Sequence, residues 1–88
     1  MSETRETRLR RLKMRSWRRG MKEMDIILGG FADTAMADLD DSALDLHEAL
    51  MDENDQDLYL WVTGAQAGPE QFQPALEQVS AYLRKIQC

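Results

Sequence analysis

FQPALEQVSAYLRKI, residues 72–86, carries the clearest periodicity in the chain. Its apolar residues Phe72, Leu76, Val79, Leu83 and Ile86 fall at i, i+4, i+7, i+11 and i+14. This is the spacing of one face of an α-helix. Pro74 lies in its first turn, where a missing amide costs little. Working outward, Met21, Met24, Ile27, Leu28 and Phe31 repeat the pattern. Gly29-Gly30 weakens that second helix by about 1 kcal/mol per glycine, so a bend or early stop is expected there. Ala32 to Asp38 reads as a frayed continuation or a turn. Asp40 reads as an N-cap, with Leu39 stapled onto Leu44 and with Ala43, Leu46, His47 and Leu50 lining one face. Asn54 or Asp55 opens a short helix that turns Leu58, Trp61 and Val62 inward and stops at Gly64. A first helix runs from about Thr4 to Arg18, its thin apolar stripe made by Leu9, Leu12, Met14 and Trp17. Gly20 is expected to close it in the left-handed conformation. No segment alternates with period two. The fold class is therefore all-α, a compact bundle of about five short helices.

With 88 residues the chain makes one domain with a modest core and little room for a buried catalytic cavity. A composition 43% hydrophobic and 31% charged is that of a folded globular protein. No stretch approaches the ~18 uncharged residues that span a bilayer, so no membrane insertion is expected. The Arg-rich N-terminus lacks an apolar core, and Glu3 and Glu6 interrupt it, which favours a cytoplasmic protein over one with a leader. Cys88, the single cysteine and the last residue, reads as an exposed free thiol. Residues 1–23 carry a net charge of +6 and residues 24–88 a net of −11. Such polarity suggests an oriented encounter with an acidic surface of a partner, slowed by salt.

The usual catalytic and metal constellations are absent. The Asp52-Glu53-Asn54-Asp55-Gln56-Asp57 run resembles a calcium loop but has Asp57 in place of the sixth-position glycine and Thr63 in place of the twelfth-position glutamate. It reads as a helix-capping turn. The single histidine, His47, has no serine or cysteine set around it as a nucleophile and reads as a partly buried helix residue. No glycine pattern matches a phosphate loop. The chain is not expected to be an enzyme, nor to hold a metal or a stoichiometric cofactor.

Arg18-Arg19-Gly20-Met21-Lys22-Glu23, between the first two helices, stands out. One reading is structural, with arginines at a helix C-terminus, a glycine turn, and a glutamate at the next helix start. The other is a contact surface: a rigid guanidinium fork, a glycine that another backbone can approach, and an acid for a basic group. Arg19-Gly20-x-x-Glu23, followed by Met24-Asp25, resembles the RGxxE motif of the FAD assembly factor (SdhE) family. Arg15-Ser16-Trp17, Gly30-Phe31-Ala32-Asp33 and Asp57-Leu58-Tyr59-Leu60-Trp61-Val62-Thr63-Gly64 extend the likeness, which covers roughly Leu9 to Ile86. Residues 1–8 have no counterpart and are read as a flexible basic arm, with 9–88 as the single helical domain.

The resemblance implies a partner and a task. Members bind the flavoprotein subunit of succinate dehydrogenase, or of fumarate reductase, and promote covalent attachment of FAD to it. Arg19, Gly20 and Glu23 would form the contact, with Arg18, Met21, Lys22 and Asp25 around it. On that reading, alanine at Arg19 or Glu23 leaves the fold intact and removes binding. Trp61 reads as core, whereas Trp17 is either core or a contact anchor. The chain is expected to be a monomer. Two other classes remain open on the residues alone. A nucleic-acid binder would use the basic N-terminal third, which the acidic remainder and the missing recognition motif oppose. A generic adaptor would use the same surface for an unrelated protein.

Overall fold

The structure, a computed structural model, describes residues 3–87. Among them are five α-helices and no strand. Helix α1 spans Arg5–Ser16, α2 Lys22–Thr34, α3 Asp41–Met51, α4 Asp55–Thr63 and α5 Gln73–Gln87, with single 3-10 turns at Met36–Asp38 and Glu70–Phe72. The all-α expectation holds. The free-thiol reading of Cys88 and the first two residues of the expected arm lie outside the described residues.

Local chemistry sets the helix ends. Thr4 caps α1 by accepting the Thr7 amide at 3.1 Å. Asp40 caps α3 through the Ala43 amide at 2.8 Å, and Asn54 caps α4 through the Gln56 amide at 2.9 Å. Gly64 ends α4 with φ 83°, the left-handed conformation that favours glycine. Pro74 is the second residue of α5, as its missing amide requires.

Three expectations are corrected. Residues 5–8 are not a separate arm, because the Thr4 cap starts α1 there and Arg5 and Arg8 are ion-paired to α3. Gly20 is not a left-handed cap, since Gly64 alone has positive φ among the described residues and α1 already ends at Ser16. Gly29-Gly30 does not stop α2, which runs unbroken to Thr34. The glycines instead admit neighbours: a Cβ at Gly29 would collide with the Trp17 indole, and one at Gly30 with the Tyr82 hydroxyl. Trp17 thus lies across Gly29 yet stays 43% exposed, its Nε1 donating to Asp33 Oδ1 at 3.4 Å.

Helix α2 is central, packing on α1, α4 and α5, while α3 and α4 also pack on α5. Leu12, Met24, Leu28, Phe31, Leu44, Leu50, Leu58 and Val79 form part of the core, and Trp61 packs against it from the edge. His47 is buried rather than partly buried, its ring centroid 4.9 Å from that of Phe31. Neither imidazole nitrogen has a hydrogen-bond partner among the described residues. Burial, and then the Arg19 charge, push its pKa down to about 4.

The charge polarity resolves within the chain. Asp41, Asp45, Glu48 and Asp52 form one stripe along α3, at i, i+4, i+7 and i+11. Arg5 pairs with Asp41 at 2.7 Å, Arg8 with Asp45 at 2.7 Å, and Arg15 with Asp52 at 2.7 Å. Sequence separations of 36, 37 and 37 across those pairs mean that α1 and α3 run parallel, bridged by long side chains. One acidic surface that meets the basic helix is therefore the chain's own. Glu48 holds two arginines, Arg8 at 2.9 Å and Arg11 at 3.1 Å, whereas Asp41 is 88% exposed. Exposed pairs contribute about 0.2–1 kcal/mol, so Glu48→Gln is expected to lose more stability than Asp41→Asn. Urea denaturation of the two variants in 0.1 M salt checks this ordering. Equal midpoints would mean that the shared pair adds nothing.

Candidate functional site

The segment from Arg18 to Asp25 forms the α1–α2 connection and the first turn of α2. Two carboxylates close this turn. Asp25 Oδ1 accepts the Arg19 amide at 2.6 Å, and Asp55 Oδ2 accepts the Gly20 amide at 3.1 Å. The Arg19 side chain reaches inward. Its Nε donates to Asp55 Oδ1 at 2.6 Å, Nη1 to the Met51 carbonyl, and Nη2 to the Glu53 carbonyl at 3.0 Å. Met51 is the last residue of α3, where carbonyls lack helical partners and the macrodipole is negative, and Glu53 lies two residues beyond it in the connection to α4. A planar fork of donors is the group that can bind an aspartate and two carbonyls together. Arg19 thus ties the turn to the end of α3 and the start of α4.

The predicted site residues separate into two layers. Arg19, its side chain 10% exposed, and Asp25, half-buried, lie inside, joined by Asp55 at 19%. Arg18, Gly20, Lys22 and Glu23 are exposed, and Met21 is half-buried against the core. Among the described residues no ion pair or side-chain hydrogen bond engages Arg18, Lys22 or Glu23. Reasoning from sequence missed Asp55, Met51 and Glu53 as partners of Arg19. The only local signal was an aspartate beside the Asn54 cap, which is explained as well by capping.

Gly20 has no internal reason to be glycine. Its φ is not positive, and a Cβ built there meets nothing within 4 Å. The other matching blocks serve packing. Phe31, Ala32, Leu58 and Val62 are buried, Gly30 makes room for Tyr82, and Gly64 ends α4. Among the described residues no cluster of three or more His, Cys, Asp or Glu side chains is arranged to hold a metal. No described helix is long and apolar enough to cross a membrane.

Residues 10–87 match the family model described as flavinator of succinate dehydrogenase. The chain is 46% identical over 61 residues to succinate dehydrogenase assembly factor 2, mitochondrial, of Meyerozyma guilliermondii, covering 69% of this chain and 45% of that protein. It is 34% identical over 84 residues to the protein of that name from Schizosaccharomyces pombe, covering 93% of this chain and 60% of the relative. Assembly factor 2-B of Drosophila mojavensis is 36% identical over 69 residues, or 76% of this chain and 44% of the relative. The chain therefore spans between about two fifths and three fifths of these relatives' lengths. With nearly every described helix inside the matched span, the chain belongs to the flavinator of succinate dehydrogenase family.

Proposed function

We propose that this chain is a non-catalytic assembly factor that binds the flavoprotein subunit of succinate dehydrogenase, or of fumarate reductase, and promotes covalent attachment of FAD to it. Family membership and the relatives' names support that task. The observation that carries the contact is Gly20, a glycine that the turn geometry does not require, held open beside exposed Arg18, Lys22 and Glu23. A side chain absent on the outside of a fixed turn leaves room for another protein's backbone. Arg19 and Asp25 act beneath it by holding the turn's shape, so their part in binding is indirect. FAD belongs to the partner, and the chain holds neither flavin nor metal of its own.

A nucleic-acid role has less to rest on. Arg5, Arg8, Arg10, Arg11, Lys13, Arg15 and Arg19 already face carboxylates in the chain. The cytoplasmic compartment and the monomeric state belong to the same proposal. Cell fractionation tests the first, since the named relatives are mitochondrial.

The test compares in-gel flavin fluorescence of denatured succinate dehydrogenase from cells with and without this protein. Loss of the fluorescent band without it is expected, and equal bands would overturn the reading. Glu23→Ala is the clean site variant, because Glu23 has no partner among the described residues. It should melt within a few degrees of the parent, since a first-turn carboxylate contributes only about 0.3–1 kcal/mol, and weaken flavoprotein binding about thirtyfold, the effect of losing ~2 kcal/mol at a contact hot spot. Full flavin attachment with Glu23→Ala would remove Glu23 from the site.

A further inference from the structure

Running from the α1–α2 turn along the outer face of α1 is an open groove of about 690 Å³. Thr7, Arg10, Met14 and Arg18 lie along it, with Arg11, Arg15, Arg19 and Asp55 on its flanks. Five arginines and one aspartate would make a strongly basic trough if all were free. They are not. Arg11 is held by Glu3 at 2.9 Å and Glu48 at 3.1 Å, Arg15 by Asp52 at 2.7 Å, and Arg19 by Asp55 at 2.6 Å. Arg10 touches only Glu6 at 3.5 Å, with the two side chains 70% and 85% exposed, and Arg18 has no partner among the described residues. Between them Met14 is 53% exposed.

Arg10 and Met14 lie one turn apart on α1 and Arg18 lies in the turn just beyond its end, so the two available cations line one groove with an apolar side chain between them in sequence.

We propose that this groove binds an acidic, extended segment of the partner protein, with two carboxylates on Arg10 and Arg18 and an apolar residue on Met14. In an extended segment side chains two residues apart face the same side, so two acids with an apolar residue at the alternate position between them present all three to the groove. The occupant is thus of the form acid-x-apolar-x-acid. A polyanion such as RNA fits less well, because Glu3, Asp52 and Asp55 pair with the flanking arginines and the whole chain carries −5. Arg18 lies both in the groove and beside Gly20, so the groove continues the surface proposed above.

The choice of a flavoprotein as the owner of that segment rests on the proposed function, and the experiment separates the two. The full chain and its Arg10→Glu/Arg18→Glu variant are titrated against the purified succinate dehydrogenase flavoprotein. In parallel, the Met14 methyl resonance is followed while a synthetic peptide, Gly-Glu-Ala-Leu-Ala-Glu-Gly, or its Gln-for-Glu analogue is added. We expect the variant to melt like the parent and to bind the flavoprotein at least tenfold more weakly. The Glu peptide, but not the Gln analogue, should shift Met14. If the parent binds the flavoprotein and the variant binds equally well, the groove assignment is overturned while the proposed function stands. If the parent does not bind the flavoprotein, that function fails and the peptide decides the groove. A Met14 shift by the Glu peptide alone supports it, and no shift, or an equal shift by both peptides, overturns it.

Discussion

Replacing Arg19 with alanine is expected to destabilise the fold by about 3 kcal/mol, the low end for removing one partner of a buried ion pair. For a domain of this size that corresponds to a fall in melting temperature of more than about 10 °C. The change would leave the Asp55 carboxylate, 19% exposed, with only the Gly20 amide, and the Met51 and Glu53 carbonyls without their donor. It would also leave the end of α3 without the cation that complements its dipole. Arg19→Lys keeps the charge but not the fork, so it should recover only part of the loss. Urea denaturation at pH 7 measures both. An Arg19→Ala protein that melts within a degree or two of the parent would show that the inward ties add nothing.

This result changes how the motif is to be tested. From sequence, Arg19 and Glu23 were expected to behave alike, folding normally and failing to bind. The structure separates them, because Arg19 is tied to α3 and α4 whereas Glu23 faces solvent. A loss of flavin attachment in Arg19→Ala would therefore mix lost fold with lost contact. Asp55→Asn offers a second route to the same turn, since Asp55 binds both the Arg19 side chain and the Gly20 amide. Because the two residues share a hydrogen bond, their double variant should lose clearly less than the sum of the single losses.

The helices were legible because each has its own local signal. The α5 stripe, the Asp40 and Asn54 caps and the Gly64 stop are encoded within a few residues. What stayed hidden depends on pairs far apart in sequence. Gly29 and Gly30 read as helix weakeners until Trp17 and Tyr82 are seen against them. Gly20 read as a helix stop because α1 was carried to Arg18, whereas the chain leaves the helix after Ser16 and two aspartates close the turn. The basic N-terminal third read as a surface awaiting an acidic partner, yet its matching stripe lies on α3, some 36 residues along the chain. The motif itself was visible, but not which side of the turn each of its residues occupies.

Buried His47 gives the second large effect, a loss of stability in mild acid. Its ordinary value of 6.5 is pushed down to about 4 in the folded chain, first by burial and then by the Arg19 charge. Between those values the unfolded chain takes up a proton that the folded chain refuses, so stability falls with falling pH. The contribution is fully present above pH 6.5 and is lost progressively down to about pH 4, where the curve flattens. Across that window the loss is on the order of 3 kcal/mol. Glu3, held below its usual range chiefly by its hydrogen bond from Arg11, adds its own loss only at lower pH, below 4.5. His47→Leu removes the titrating group and two buried nitrogens that have no partner among the described residues, and sits beside Phe31 as a residue of similar size. It should raise stability at pH 7 by about 1 kcal/mol or more, since an unsatisfied buried polar group costs about 1–3 kcal/mol. Above all, it should flatten the profile between pH 6.5 and 4.5. Urea midpoints for both proteins at pH 7, 5.5 and 4.5 measure this, and parallel profiles would mean that the acid sensitivity lies elsewhere.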